Sequence, residues 1–193
     1  MLATENFITP VTGGNFVSLM GNHMKKVLPS FRGLRWHRHQ FYSFFVPYEW
    51  QRADWPDDRE GVIYTPSADD PLTLIAVEVR DLGVAPTPDD LDDLQAGLLA
   101  GIEALPDVEV EHHEQWIRGS LMCLEAKYSF VEDGARRKRW VRQFYHETRQ
   151  IAMTAQGATC ETYDYWLPMF FEAMMTTKIH NSIPQLDSDA FVV

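Results

Sequence analysis

Three groups of residues in this chain have the types and spacing for chemistry. His37-x-His39 would set two imidazoles on one face of a strand, and His112-His113-Glu114 adds two more beside a carboxylate. Neither set has the fixed further partner that a metal centre needs. In a strand His112 and His113 also point to opposite faces, so no metal is assigned. Cys160 precedes or begins the last predicted helix, where the helix dipole can lower a thiol pKa and make it reactive. It has no second cysteine at Cys-x-x-Cys spacing, and a semi-buried structural cysteine fits the position as well. The pairs Asp57-Asp58, Asp69-Asp70, Asp89-Asp90 and Asp92-Asp93 fall in turns or a first helical turn. A general acid and base must converge across a cleft, so these pairs read as caps, turns and a solvated surface. No Gly-x-x-x-x-Gly-Lys-Ser/Thr, Gly-x-Gly-x-x-Gly or His-Glu-x-x-His pattern is present, and no catalytic residue or cofactor is assigned.

Two other groups point to binding. Arg136, Arg137, Lys138, Arg139 and Arg142 crowd one end of a predicted hairpin on an acidic chain, a pattern suited to a carboxylate-rich or phosphorylated partner. The same residues equally fit a solvated turn that balances Glu132 and Asp133. On the last helix, Trp166, Phe170, Phe171, Met174 and Met175 give more apolar width than one stripe needs. Most of that width belongs in a core, and any remainder facing outward makes an adaptable surface of Met and aromatic side chains.

The elements that must hold these residues follow from periodicity and punctuation. Phe41–Val46, Val62–Thr65 and Leu72–Arg80 read as strands separated by Pro66 and Asp69-Asp70-Pro71. Thr87-Pro88-Asp89-Asp90 supplies a cap, a first-turn proline and dipole-favoured acids. Leu91, Leu94, Leu98, Ile102 and Leu105 then recur at helical spacing up to Pro106, which predicts an amphipathic helix covering a sheet. Strands at Val108–Trp116, Leu121–Val131 and Lys138–Glu147 follow, the last two joined by a polar loop from Glu132 to Arg137. Gln150–Ala155 is a further strand, and Tyr163–Ile179 the last helix. Pro168 is compatible only with a first turn, which delays the regular part to as late as Met169.

At 193 residues the chain suits one well-buried domain, here 39–181, between an irregular basic arm at 1–38 and an acidic tail at 182–193. The arm carries Lys25, Lys26, Arg32, Arg35 and Arg38 against Glu5 alone, with a short helix expected near Phe16 to Lys26. A net charge of -11 argues against general nucleic-acid binding, because phosphate contacts need a basic face. No apolar run approaches the roughly 20 residues of a membrane span. Met1-Leu2-Ala3-Thr4-Glu5 does not open an export signal, so a cytoplasmic location is expected, although a mature secreted form with an added Met would read the same.

The order of elements, with Phe44-x-Val46-Pro47-x-x-Trp50, resembles the PsbP-like superfamily, which includes bacterial DcrB-like proteins, over roughly Gln40 to His180. Trp116-Ile117-Arg118-Gly119 through Tyr128, the charged hairpin and Arg142-Gln143-Phe144-Tyr145 are similar to a branch of small chaperones for secreted bacterial effectors. The resemblance implies an α+β fold, with an antiparallel sheet of six to seven strands packed with two main helices. Members of that superfamily are mostly binding proteins without a shared catalytic centre, so it carries over no active-site residues. The expected function is a non-enzymatic adaptor or chaperone for an apolar segment of a protein client or secretion effector. Homodimerisation, basic arm against acidic body, is compatible with the charge distribution. The other class is a small-molecule-binding or hydrolytic enzyme with a pocket between sheet and last helix, using Cys160 or His146.

Overall fold

The computed structural model describes residues 29–30 and 32–181. The expected helix near Phe16 to Lys26, the rest of the arm before residue 29 and the tail at 182–193 lie outside the described residues. Ten strands and two helices follow in the order β1 (Leu34–Arg38), β2 (Tyr42–Pro47), β3 (Gln51–Ala53), β4 (Glu60–Thr65), β5 (Leu74–Asp81), α1 (Leu91–Glu103), β6 (Glu109–Arg118), β7 (Leu121–Glu132), β8 (Ala135–His146), β9 (Arg149–Gly157), α2 (Cys160–Thr176) and β10 (Lys178–Ile179). This is the expected α+β class. Seven strands form one antiparallel sheet in the order β3-β4-β5-β9-β8-β7-β6, and β1-β2-β10 form a second sheet.

The two faces of the large sheet are covered differently because side chains alternate along each strand. Met122, Leu124, Ala126, Tyr128 and Phe130 of β7, with Val141 and Tyr145 of β8, turn toward the helix α1. Leu91 and Ile102 of α1 are buried there, as the spacing of its leucines requires. Thr87 begins this helix as expected: its backbone N–H and hydroxyl both donate to Asp90 Oδ2, at 2.7 and 2.8 Å, around a short 3-10 turn at Pro88–Asp90. The opposite face, with Cys123, Trp140, Phe144, Ile151 and Met153, packs against α2 and the small sheet in the main core. Fully burying each large side chain of that core is worth roughly 1.5–3 kcal/mol.

Four expectations change. Leu34–Arg38, placed in the irregular arm, pairs with β2 along its whole length, so the domain starts before residue 39. The aromatic strand itself belongs to the small sheet and not to the large one. Helix α2 begins at Cys160 and contains Pro168 in its interior. Thr159 starts it by accepting from the Thr162 N–H at 3.2 Å, and buried Tyr163, Met169 and Phe170 hold the helix to the sheet on both sides of the proline. The loop expected from Glu132 to Arg137 is a two-residue turn, Asp133-Gly134, with φ of 52° and 76°, so β8 starts at Ala135.

Two contacts fix α2 in place. Gly157 ends β9, and a Cβ there would sit 2.3 Å from Tyr163 N and 2.6 Å from Tyr163 Cα, so only glycine lets the first turn lie on the strand. Trp50, from the Val-Pro-x-x-Trp motif, is buried edge-on against Trp166 and Phe170 at 5.2 and 6.1 Å between centroids. At the far end Thr177 Oγ1 donates to Ala173 O at 2.8 Å and Arg142 Nη1 to Met174 O at 2.9 Å. These bonds satisfy last-turn carbonyls, and the chain then leaves the helix to pair with β2 as β10. Among the described residues no helix is long and apolar enough to cross a membrane.

Candidate functional site

Placing the hairpin arginines in a strand disperses them. Arg137 is only 2% exposed, and its guanidinium reaches Glu132 at 3.2 Å and Asp133 at 3.4 Å. Arg136 donates to Ser129 Oγ at 3.1 Å and to Asp107 O at 3.2 Å, with Glu109 at 3.5 Å. Lys138 pairs with Glu111 at 2.7 Å, and Arg139 donates to Gln156 Oε1 and to Tyr128 Oη. Arg142 lies inward, bonded to Glu125 Oε2 at 2.5 Å and to the end of α2. The basic cluster read from the sequence is therefore not a presented charge. Alternation along β8 sends its members to different faces, and neighbouring acids and amides engage them.

The apolar residues of α2 divide as well. Phe170 and Met174 are core residues at 0% and 1% exposure, which removes them from any partner surface. Trp166 is half-buried against Trp50 and Tyr165. Phe171 and Met175 are the two that face outward, each about half exposed, with Phe171 beside Trp140 at 6.3 Å between centroids.

Met175 stands at a groove of about 570 Å³ between the last turn of α2 and strands β6 to β8. Its apolar lining comes from Trp116, Leu121, Phe144, Met174, Met175 and Ile179. Its polar lining includes Arg118, Arg142, Lys178 and His180. Two smaller depressions share its walls. One, of about 380 Å³, meets it at Lys178 and His180 and adds Trp36, Arg38, His39, Gln40 and Ser43. The other, of about 210 Å³, meets it at Arg118, Leu121 and Ile179 and adds Ser120, His146 and Asn181. Most of these residues escaped sequence reasoning. Their strands and helix are distant in the chain, and nothing in the local pattern of Trp116-Ile117-Arg118 or Lys178-Ile179 says which surface they share.

The candidate chemistry of the sequence does not assemble in the groove. Cys160 lies at the other end of β8, with Sγ 3.7 Å from Arg136 O. Burial first, then the charge of Glu161, push its thiol pKa up, against the lowering expected from the helix dipole. His146, at the groove end, pairs through Nε2 with Asn181 Oδ1 at 2.9 Å. Ten residues of extended strand separate Arg136 from His146, roughly 30 Å at strand rise, so Cys160 and His146 cannot act as a nucleophile and base together.

His112 and Glu114 share a face with Glu125, and their ligand atoms lie within 4.8 Å of one another. Glu125, however, is already engaged by Arg142 and lies 3.7 Å from Lys127. His113 points the other way, to Gln95 at 3.1 Å. His37 is buried among Tyr42, Phe44 and Tyr64, with Nδ1 3.0 Å from Tyr64 Oη. Burial, then the charge of Arg52, pulls its pKa down to about 4. His39 faces Glu60 at 3.2 Å. The two histidines meet aromatic rings and separate partners, and among the described residues no third donor joins them.

The sequence matches no family profile and no curated protein. Solved structures do match. The cyanobacterial PsbP (CyanoP) of Synechocystis sp. PCC 6803 superposes with a TM-score of 0.56 at 13% identity, over 78% of this chain and 95% of that one. LpqN of Mycobacterium tuberculosis, described as involved in cell envelope biogenesis, gives 0.54 at 14% identity, over 72% and 83%. The Pseudomonas aeruginosa protein PA94, described as a putative regulator of unknown function, gives 0.50 at 16% identity, over 78% and 98%. The order of elements first read from the aromatic strand is thus matched in three dimensions: the chain has the PsbP-like fold.

Proposed function

We propose that this chain is a non-enzymatic binding protein, an adaptor or chaperone that shields an apolar segment of a protein client, such as a secretion effector. The observation that carries the reading is the groove at the end of α2. Met175, Trp116 and Leu121 line it with the buried Met174 and Phe144 behind them, and Phe171 stands exposed one helical turn away. Methionine and aromatic side chains adapt their shape to varied apolar partners, which suits capture better than selective chemistry. Of the two residues offered for the hydrolytic alternative, Cys160 lies away from the groove with its thiol pKa pushed up by burial, which disfavours it as a nucleophile, and His146 stands at the groove end without it. A small apolar ligand remains the competing occupant, since about 570 Å³ falls within the range of small-molecule sites.

The test uses a labelled 20-residue leucine- and alanine-rich helical peptide, carried by polar ends, with binding followed by fluorescence anisotropy. Met175→Glu and Phe171→Ala alter exposed positions, so folding should survive and is checked by circular dichroism. Each substitution is expected to weaken capture about tenfold, the scale of an interface anchor. Equal capture by both variants and the parent protein would remove the groove from the function.

A further inference from the structure

We infer that the segment taken by this groove carries carboxylates beside its apolar stretch, and that Arg38, Arg118 and Lys178 are the anchors that select them; this rests on the binding role proposed above. The argument starts from a census of charge. The chain has 28 acidic residues against 17 lysines and arginines, so a surface cation ordinarily finds a carboxylate close by. Among the described residues most do: Arg32, Arg52, Arg59, Arg80, Lys127, Arg136, Arg137, Lys138, Arg142 and Arg149 all form ion pairs. Arg35 and Arg139 are instead held by the Trp50 carbonyl and by Gln156. The described cations left with neither an ion pair nor a hydrogen bond from the side chain are Arg38, Arg118 and Lys178.

Those three share one place in the fold. Arg38 and Lys178 line the depression over the small sheet, and Lys178 and Arg118 line the main groove. No Asp or Glu lines the groove or either adjoining depression among the described residues. Glu60, behind His39 and Gln40, and Glu125, on Arg142, are the carboxylates next to the lining, and neither pairs with Arg38, Arg118 or Lys178. On a chain with this acid excess, a surface that gathers the unpaired cations is complementary to an anionic ligand.

Aromatic rings flank the same cations. Arg118 Cζ is 5.9 Å from the Trp116 ring centroid, and Lys178 Nζ is 5.4 Å from that of Trp36, which is stacked on Phe45 at 4.1 Å. Charge sits on the rim and apolar surface between, an order that fits an apolar segment with acids at its flanks. Arg142, deeper in the wall, is already neutralised by Glu125 and is not one of the anchors.

Three peptides with one leucine- and alanine-rich body test the inference: one flanked by Glu and Asp, one by Gln and Asn, and one by Lys. They are titrated into the full chain by fluorescence anisotropy at 50 mM and 500 mM salt. The acidic peptide should bind about tenfold more tightly than the neutral one at low salt, and the lysine peptide more weakly than either. The preference should vanish at high salt and in Arg118→Gln/Lys178→Gln, whose exposed positions leave the core untouched. Equal affinity for all three peptides would overturn this inference while leaving apolar capture intact. Binding of none would overturn the proposed function as well. Binding of the acidic peptide only after removal of residues 182–193 would assign the groove to the chain's own acidic tail and overturn the inference. Displacement of the acidic peptide by micromolar laurate would do so in favour of a small anionic amphiphile.

Discussion

The hairpin end of β8 and the rim of the groove both carry arginine and lysine, and they differ in what surrounds each charge. At the hairpin, Arg136, Arg137 and Lys138 meet Glu109, Glu132 and Glu111, and Arg139 meets Gln156. At the groove rim, Arg118 and Lys178 meet aromatic rings and solvent, and Arg38 is exposed. Density of like charge along a sequence is thus a poor guide to charge that is available to a partner. A strand distributes adjacent side chains over two faces, and a neighbouring strand then supplies counter-charges that the local sequence does not contain.

The contrast between engaged and available side chains can be broken by mutation. The largest effect is expected at Arg142. Arg142→Met leaves the buried Glu125 with Lys127 as its remaining ion-pair partner and Glu114 close by, and should lower stability by roughly 3–5 kcal/mol in urea unfolding. Arg118→Met, at the exposed end of β6 and without an ion pair, should stay within about 0.5 kcal/mol. Equal losses at the two positions would erase the distinction. On α2 the neighbours Phe170 and Phe171 repeat it without charge. Phe170→Ala empties a fully buried site and should cost roughly 3–5 kcal/mol, against about 1 kcal/mol or less for Phe171→Ala, read from the same unfolding curves.

The small sheet shows the contrast across its thickness, with His37 inside and Lys178 outside. His37 keeps its neutral form down to about pH 4, whereas the unfolded chain takes up that proton near 6.5. The unfolded state therefore binds more protons between these values, and stability falls as pH drops from about 6.5 to 4 and levels off below. The loss from this one group is on the order of 3 kcal/mol. His37→Phe should flatten that part of the pH profile of the urea midpoint. The smallest expected effect is at Arg38→Met, within about 0.5 kcal/mol of the parent in stability at any pH, with its consequence confined to binding of acidic peptides.

The sequence made α1 legible because every signal there is local: Thr87, Pro88, Asp90 and the leucine spacing all act within four residues. The two halves of the long hairpin were legible for the same reason, while its turn was misplaced because the polar run Glu132 to Arg137 continues past Asp133-Gly134 into the strand. Strands β1, β3 and β10 were not legible. Each is five residues or fewer, and β10 exists only because Lys178 and Ile179 lie opposite Ser43 and Tyr42. The start of α2 was hidden by Pro168, whose lost hydrogen bond is outweighed by packing that only the folded sheet provides. Of the candidate partner residues on α2, Phe171 and Met175 face outward, whereas Phe170 and Met174 are core. Its other wall comes from β6, β7 and β10, which no helical pattern reports.

Strand β10 closes one side of the groove with only two paired residues, next to the bond from His180 N to Phe41 O at 2.8 Å. So short a ladder opens at a small fraction of the free energy needed to unfold the sheet behind it. Amide hydrogens at the β10 edge should therefore exchange with solvent far sooner than that of Ile151 in the centre of the large sheet. The width of the groove then follows a local opening equilibrium, and an entering segment that holds β10 shut would slow that exchange at a distance from its own contacts.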